Sequence, residues 1–178
     1  MIYAVALLIG CSQPADIKNA IDFSDSRVAF SYPGNWKVVV DEEIDGVRNL
    51  YIESNQSAMT YILNYSDGIE LTLDAFQQEY IEVFKNKIST EGGMVSVSKS
   101  VPVEAKIEGK TRSGIKNRLV VQIHETEDVF HQIYYLYPNN NGITCIIFQV
   151  ADHDLTGTIK GFELILSTMH NSNQTESF

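Results

Sequence analysis

Val28-Ala29-Phe30-Ser31-Tyr32-Pro33-Gly34-Asn35-Trp36-Lys37-Val38 is the stretch from which the fold is read. Its first five residues place a large apolar side chain at every second position, the period of a strand with one buried face. Pro33-Gly34-Asn35 breaks that pattern, because Pro presets a turn dihedral and Gly and Asn tolerate left-handed backbone. Trp36 to Val40 then resumes as a second strand that opens with a core-sized aromatic. The two strands are expected to pair through the turn.

Outward from this stretch, Arg48 to Glu53 and Ala58 to Tyr65 read as two more strands parted by Ser54-Asn55-Gln56-Ser57. The period then changes. Leu73, Phe76, Tyr80, Phe84 and Ile88 recur at three- and four-residue spacing, one buried helical face, with Thr72 or Asp74 able to cap it and Gly92-Gly93 to end it. Met94 to Ser98, Val101 to Glu108, Arg118 to His124, Phe130 to Tyr137 and Ile143 to Val150 follow as strands rich in β-branched and aromatic residues. A last helix is expected from Leu155 to Met169. The order of meander, helix, meander, helix predicts an antiparallel sheet with helices packed on it, the α+β class, in one domain over residues 27–170 with a polar tail at 171–178.

The opening hairpin resembles the F-x-Y-P-x-x-W hairpin of the PsbP-like superfamily, whose namesake is the extrinsic oxygen-evolving subunit P of photosystem II. The likeness extends over about residues 27–169, through the central helix and the glycine breaks at Gly109 and Gly142. It implies an αβα sandwich whose six- or seven-stranded antiparallel sheet is covered by helices. It also implies a non-catalytic accessory or binding protein, with no catalytic residues to carry over.

Ile2 to Ile9 form an uncharged apolar run, too short at about 1.5 Å per helical residue to cross a bilayer of roughly 30 Å. It leads into Leu8-Ile9-Gly10-Cys11, which resembles the lipobox of bacterial lipoprotein precursors. That resemblance implies a leader at residues 1–10, cleavage before Cys11, a diacylglyceryl thioether on the Cys11 thiol and an acyl chain on its amine. Two or more chains give durable membrane attachment where one is marginal. Ser12-Gln13-Pro14-Ala15-Asp16 reads as the start of a polar tether that spans residues 11–26. In proteobacterial precursors Ser in place of Asp after the lipidated Cys goes with export to the outer membrane, so Ser12 places the expected address on its periplasmic face. Leaders of this kind open with Lys or Arg, so a start upstream of Met1 is expected.

The chain has 178 residues and a formal net charge of −10, with none of that charge in residues 1–11. So acidic a domain repels phosphate backbones and anionic lipids, which argues against nucleic-acid binding. Of its two cysteines, Cys145 stands within Ile143-Thr144-Cys145-Ile146-Ile147-Phe148 and reads as a buried thiol used as a small apolar residue.

Signatures of common enzyme chemistry are missing: there is no Gly-x-Ser-x-Gly, no phosphate-cradling glycine loop, no His-Glu-x-x-His and no Cys-x-x-Cys. The chain is expected not to be an enzyme and to carry no cofactor. Asp41-Glu42-Glu43-Ile44-Asp45-Gly46 imitates half of a calcium loop, but Ile52 stands where a bidentate Glu should close it, so a solvated acidic turn is expected. The remaining metal candidates are His124 with His131 at the base of a hairpin, and Asp152-His153-Asp154 ahead of the last helix; the second group reads foremost as a loop and helix cap. The tyrosines, Tyr61, Tyr65, Tyr134, Tyr135 and Tyr137 among them, are expected mainly in the core, with any outer-face surplus forming a contact patch. The leading expectation is a lipid-anchored envelope protein whose domain binds a partner protein. A small-molecule or metal carrier is the second, and it requires a cavity with convergent polar groups.

Overall fold

The computed structural model describes residues 13–66, 69–139 and 142–172. The lipobox-like leader with Cys11, and the end of the expected tail beyond Ser172, lie outside them.

Among the described residues, eleven strands and two α-helices follow in the order β1 (Ile21–Ser24), β2 (Val28–Tyr32), β3 (Lys37–Ile44), β4 (Val47–Glu53), β5 (Met59–Ser66), α1 (Leu73–Thr90), β6 (Gly93–Val97), β7 (Val101–Ile107), β8 (Lys110–Ile123), β9 (Thr126–Asn139), β10 (Gly142–Ala151), α2 (Leu155–Thr168) and β11 (His170–Asn171). They form a mostly antiparallel sheet of eight strands, β3-β4-β5-β10-β9-β8-β6 with β7 also on β8, and a small sheet, β1-β2-β11. The large sheet thus exceeds the expected six or seven strands.

The local chemistry is what the patterns demand. Thr72 caps α1 by accepting from the Ala75 amide, and Gly92, at φ +77°, turns the chain out of the helix. Asp45 and Gly46 both take positive φ, the two-residue turn that matches the twist of a hairpin. Strand alternation splits the core in two. On one face of the large sheet, Ile62, Ile146 and Phe148 pack with Trp36, Phe162 and Ile165 beneath α2 and the small sheet. On the other, Tyr134, Cys145 and Ile147 pack with Phe76 and Ile81 of α1.

The expected pairing of β2 with β3 is not found. β2 pairs with β1 and β11, whereas β3 pairs with β4 in the other sheet. The Pro33-Gly34-Asn35 turn hands the chain from one layer to the other. Trp36 stacks parallel to Phe148 at 6.4 Å, and Phe148 stacks on Phe162 at 4.3 Å, so the aromatic after the turn anchors β3 in the core between the layers. Ion pairs close the other end of the small sheet: Arg48 of β4 reaches Asp25 in the β1–β2 turn and Asp41 of β3, and Arg27 reaches Glu43.

Two boundaries shift. The segment expected as a tether is part of the fold from Gln13 onward, and it contributes β1. The tail begins later than residue 171, because Asn171 pairs with Val28 and the Ser172 amide donates to the Arg27 carbonyl.

Candidate functional site

The docked N-terminal segment builds the first notable surface. The Ala15 amide donates to the Gly157 carbonyl on α2, and Gln56 Nε2 donates to the Gln13 carbonyl. Asn35 holds the segment twice: its Oδ1 accepts from the Asp16 amide at 2.9 Å and its Nδ2 donates to the Pro14 carbonyl at 3.0 Å. The Gly34 amide donates to the Asp16 carbonyl, and a β-carbon on Gly34 would have no room beside the Asn19 carbonyl. The chain therefore arrives at one pole of the domain already bonded to α2, the β4–β5 loop and the turn before β3.

The sequence candidates for metal binding come together only in part. His131 is buried on the α2 face of β9, and its Nε2 lies 2.6 Å from Asp152 Oδ1. This hydrogen bond holds the Asp152 carboxyl below the usual carboxylate range. His153 stands 3.4 Å from Asp154, whose other role is to accept from the Ser57 amide rather than to cap α2, which has no side-chain cap. His124 sits apart at positive φ in the β8–β9 turn, while His131 faces Arg118, six residues away and about 20 Å along the strand. The pair therefore does not share an ion, and among the described residues no three His, Cys, Asp or Glu side chains come together. The acidic turn at residues 41–46 is likewise spent on arginines, with Asp41 bound bidentately to Arg48.

Cys145 is fully buried, and burial drives its thiol pKa upward. The same cause raises Tyr80 of α1 and Tyr134 beneath that helix. Tyr134, Tyr135 and Tyr137 are core residues, whereas Tyr61 and Tyr65 are half-buried.

The sequence alone gives no sign of the hollow between α1 and the β4–β5 side of the sheet. Its volume is about 220 Å³, and Tyr51, Tyr61, Tyr80, Phe84, Lys87 and Gln149 line it. Tyr61 meets Tyr51 edge-on at 4.9 Å and Tyr80 at 5.5 Å, and the Tyr80 hydroxyl is turned to that of Tyr61. Behind the hollow runs a row of amides, Asn117, Gln132 and Gln149, directly opposite one another on β8, β9 and β10.

No family model matches the sequence, and no curated protein matches it. Among solved structures, the cyanobacterial PsbP (CyanoP) of Synechocystis sp. PCC 6803 superimposes over 91% of this chain and 95% of its own, with a TM-score of 0.53 at 13% identity. The fold is PsbP-like. LpqN of Mycobacterium tuberculosis, described as involved in cell envelope biogenesis, aligns over 85% of this chain and 88% of its own at 8% identity, with a TM-score of 0.40. A PsbP-like fold says how the layers are stacked and leaves activity to the site. Among the described residues no helix is long and apolar enough to cross a membrane.

Proposed function

We propose that the chain is a lipid-anchored protein of the bacterial cell envelope, attached through Cys11 to the periplasmic face of the outer membrane. Its PsbP-like domain acts there as a non-enzymatic accessory module that binds another envelope protein. Residues 1–10 are its removable leader.

The observation that carries this reading is the bonding of the N-terminal segment from Gln13 onward. With Ser12 alone between Cys11 and Gln13, an acylated Cys11 stands no more than about 7 Å from the docked chain. The lipid then fixes the orientation of the domain as well as its address. The pole at Asn35, Gln56 and Gly157 meets the headgroups, and the Asp45-Gly46 end of the large sheet points away, toward a partner. A chain this acidic needs such a covalent anchor, since anionic lipid would repel it.

The titratable groups support a role without catalysis. Burial pushes Cys145, Tyr80 of α1 and Tyr134 beneath it toward their neutral, protonated forms, the opposite of what a nucleophile or base requires.

The test is metabolic labelling. The full-length precursor is expressed in a bacterium fed an alkyne-tagged fatty acid, beside Cys11→Ala. The expected result is label and membrane fractionation that both disappear in the variant. Unlabelled protein that retains residues 1–11 contradicts the reading.

A further inference from the structure

We propose that the hollow between α1 and β4–β5 is a binding site for a small aromatic carboxylate, one ring bearing an acidic group. This goes beyond the anchor reading and does not depend on it.

The walls select a planar ring. Tyr51, Tyr61, Tyr80 and Phe84 present faces and edges within one cavity of about 220 Å³, below the roughly 300 Å³ at which pockets begin to take drug-sized ligands. Aromatic rings in such surroundings gain offset and edge-to-face contacts beyond simple burial. Tyr61 and Tyr80 are already held in mutual contact, and Phe84 leans edge-on against Phe130 at 6.4 Å, so the walls are formed before any ligand arrives.

The polar groups select the acid. The Tyr134 hydroxyl donates to Gln132 Oε1, and Gln132 Nε2 donates to Gln149 Oε1 at 2.7 Å. That chain of bonds uses the oxygen of Gln149 and leaves its Nε2 as the donor at the floor of the hollow. Lys87, exposed on α1, lines the hollow and forms no ion pair among the described residues. Glu42, the acidic group felt at Tyr51, lies on the same face of the sheet as Tyr51, opposite Asn49 on the edge strand β3. A buried amide row is costly unless satisfied. Here it is aligned across three strands, with the Asn117 amide atoms unpartnered at one end and the Gln149 amide at the other, in an aromatic cavity that Lys87 also lines. The arrangement suits an acceptor-rich anionic end on a flat apolar body.

Phenylacetate is the probe, and benzyl alcohol is its neutral counterpart. The full chain, labelled with nitrogen-15, is titrated with each in separate experiments while its amide signals are followed. The proposal expects saturable shifts confined to α1, β4, β5 and the end of β10 with phenylacetate, and at least tenfold weaker binding of benzyl alcohol. Lys87→Ala, at an exposed helical position, should weaken phenylacetate at least tenfold and leave benzyl alcohol unchanged. Val83→Trp, also exposed, should fill the mouth and abolish both. Shifts spread over the surface, equal binding of the two probes, or phenylacetate binding that survives both variants would each overturn it.

Discussion

Gly161 of α2 lies so close beneath the indole of Trp36 that a β-carbon there would stand 2.6 Å from Trp36 Cζ2 and 2.7 Å from Pro33 Cγ. The helix that closes one face of the domain is thus seated on the same turn that passes the chain between the sheets. In an exposed helix Gly→Ala stabilises by about 1 kcal/mol. Overpacking a rigid aromatic costs about 1–3 kcal/mol. Gly161→Ala is therefore expected to destabilise by about 1 kcal/mol, read as a lower urea midpoint with an unchanged slope.

Arg48 is the joint at the opposite end. It pairs with Asp25, whose side chain is 6% exposed, and with Asp41 on the neighbouring strand. Removing one partner of a buried pair leaves the other charge uncompensated. Arg48→Met should cost about 2 kcal/mol by chemical denaturation, and Asp25→Asn combined with it should recover part of the loss. An unchanged midpoint in Arg48→Met would count against the pair.

Burial pushes the Tyr65 and Tyr137 hydroxyls up to about 12, and Tyr80 and Tyr134 further still. A raised pKa means that the folded state holds its proton where the unfolded chain, at about 10, releases it. This contribution to stability is whole below about pH 10 and is lost as the pH rises toward the folded values. Phenolate absorbance should therefore show half-buried Tyr51 and Tyr61 titrating before Tyr80 and Tyr134, which release their protons only in a cooperative step that coincides with loss of circular dichroism. A single smooth titration of all the tyrosines would refute this order.

His131 holds the Asp152 carboxyl below its ordinary range. A depressed carboxylate contributes stability above its unfolded pKa and loses it as the pH falls through the folded one. The stability gap between the wild type and Asp152→Asn should be constant above about pH 5 and should close as the solution is acidified past about pH 4. The comparison requires only denaturation midpoints at several pH values.

The strands and helices are legible in the sequence because their periods of two and of three to four are carried by neighbouring residues. What joins to what is less so. Phe30 and Trp36 flank a turn and read as a hairpin, yet which sheet each strand enters depends on Asp16, Phe148 and Gly161, far away in sequence. The docking of Gln13 to Asp16 is illegible for the same reason, since two of its five bonds join backbone to backbone and the other three run through the side chains of Asn35 and Gln56. The first half of β8, Lys110 to Asn117, escapes a periodicity reading because its side chains are mostly polar. The amide row escapes it too, because Asn117, Gln132 and Gln149 each look like the outer face of a strand until α1 is laid over them. Register alone separates His124 from His131, and a slip of one residue would turn His131 to the opposite face of the sheet.

The most direct measurement places a nitroxide on Ile17→Cys or on Asp45→Cys in the acylated protein, bound to vesicles whose headgroups carry nickel. Cys145 is buried and escapes labelling. Ile17 lies in the docked segment, and Asp45 lies at the far end of the eight-residue β3, about 26 Å along the sheet. The account predicts strong relaxation of the label at position 17 and almost none at position 45. Equal relaxation at the two positions would mean that the domain swings free on a tether, and the docked orientation would be wrong.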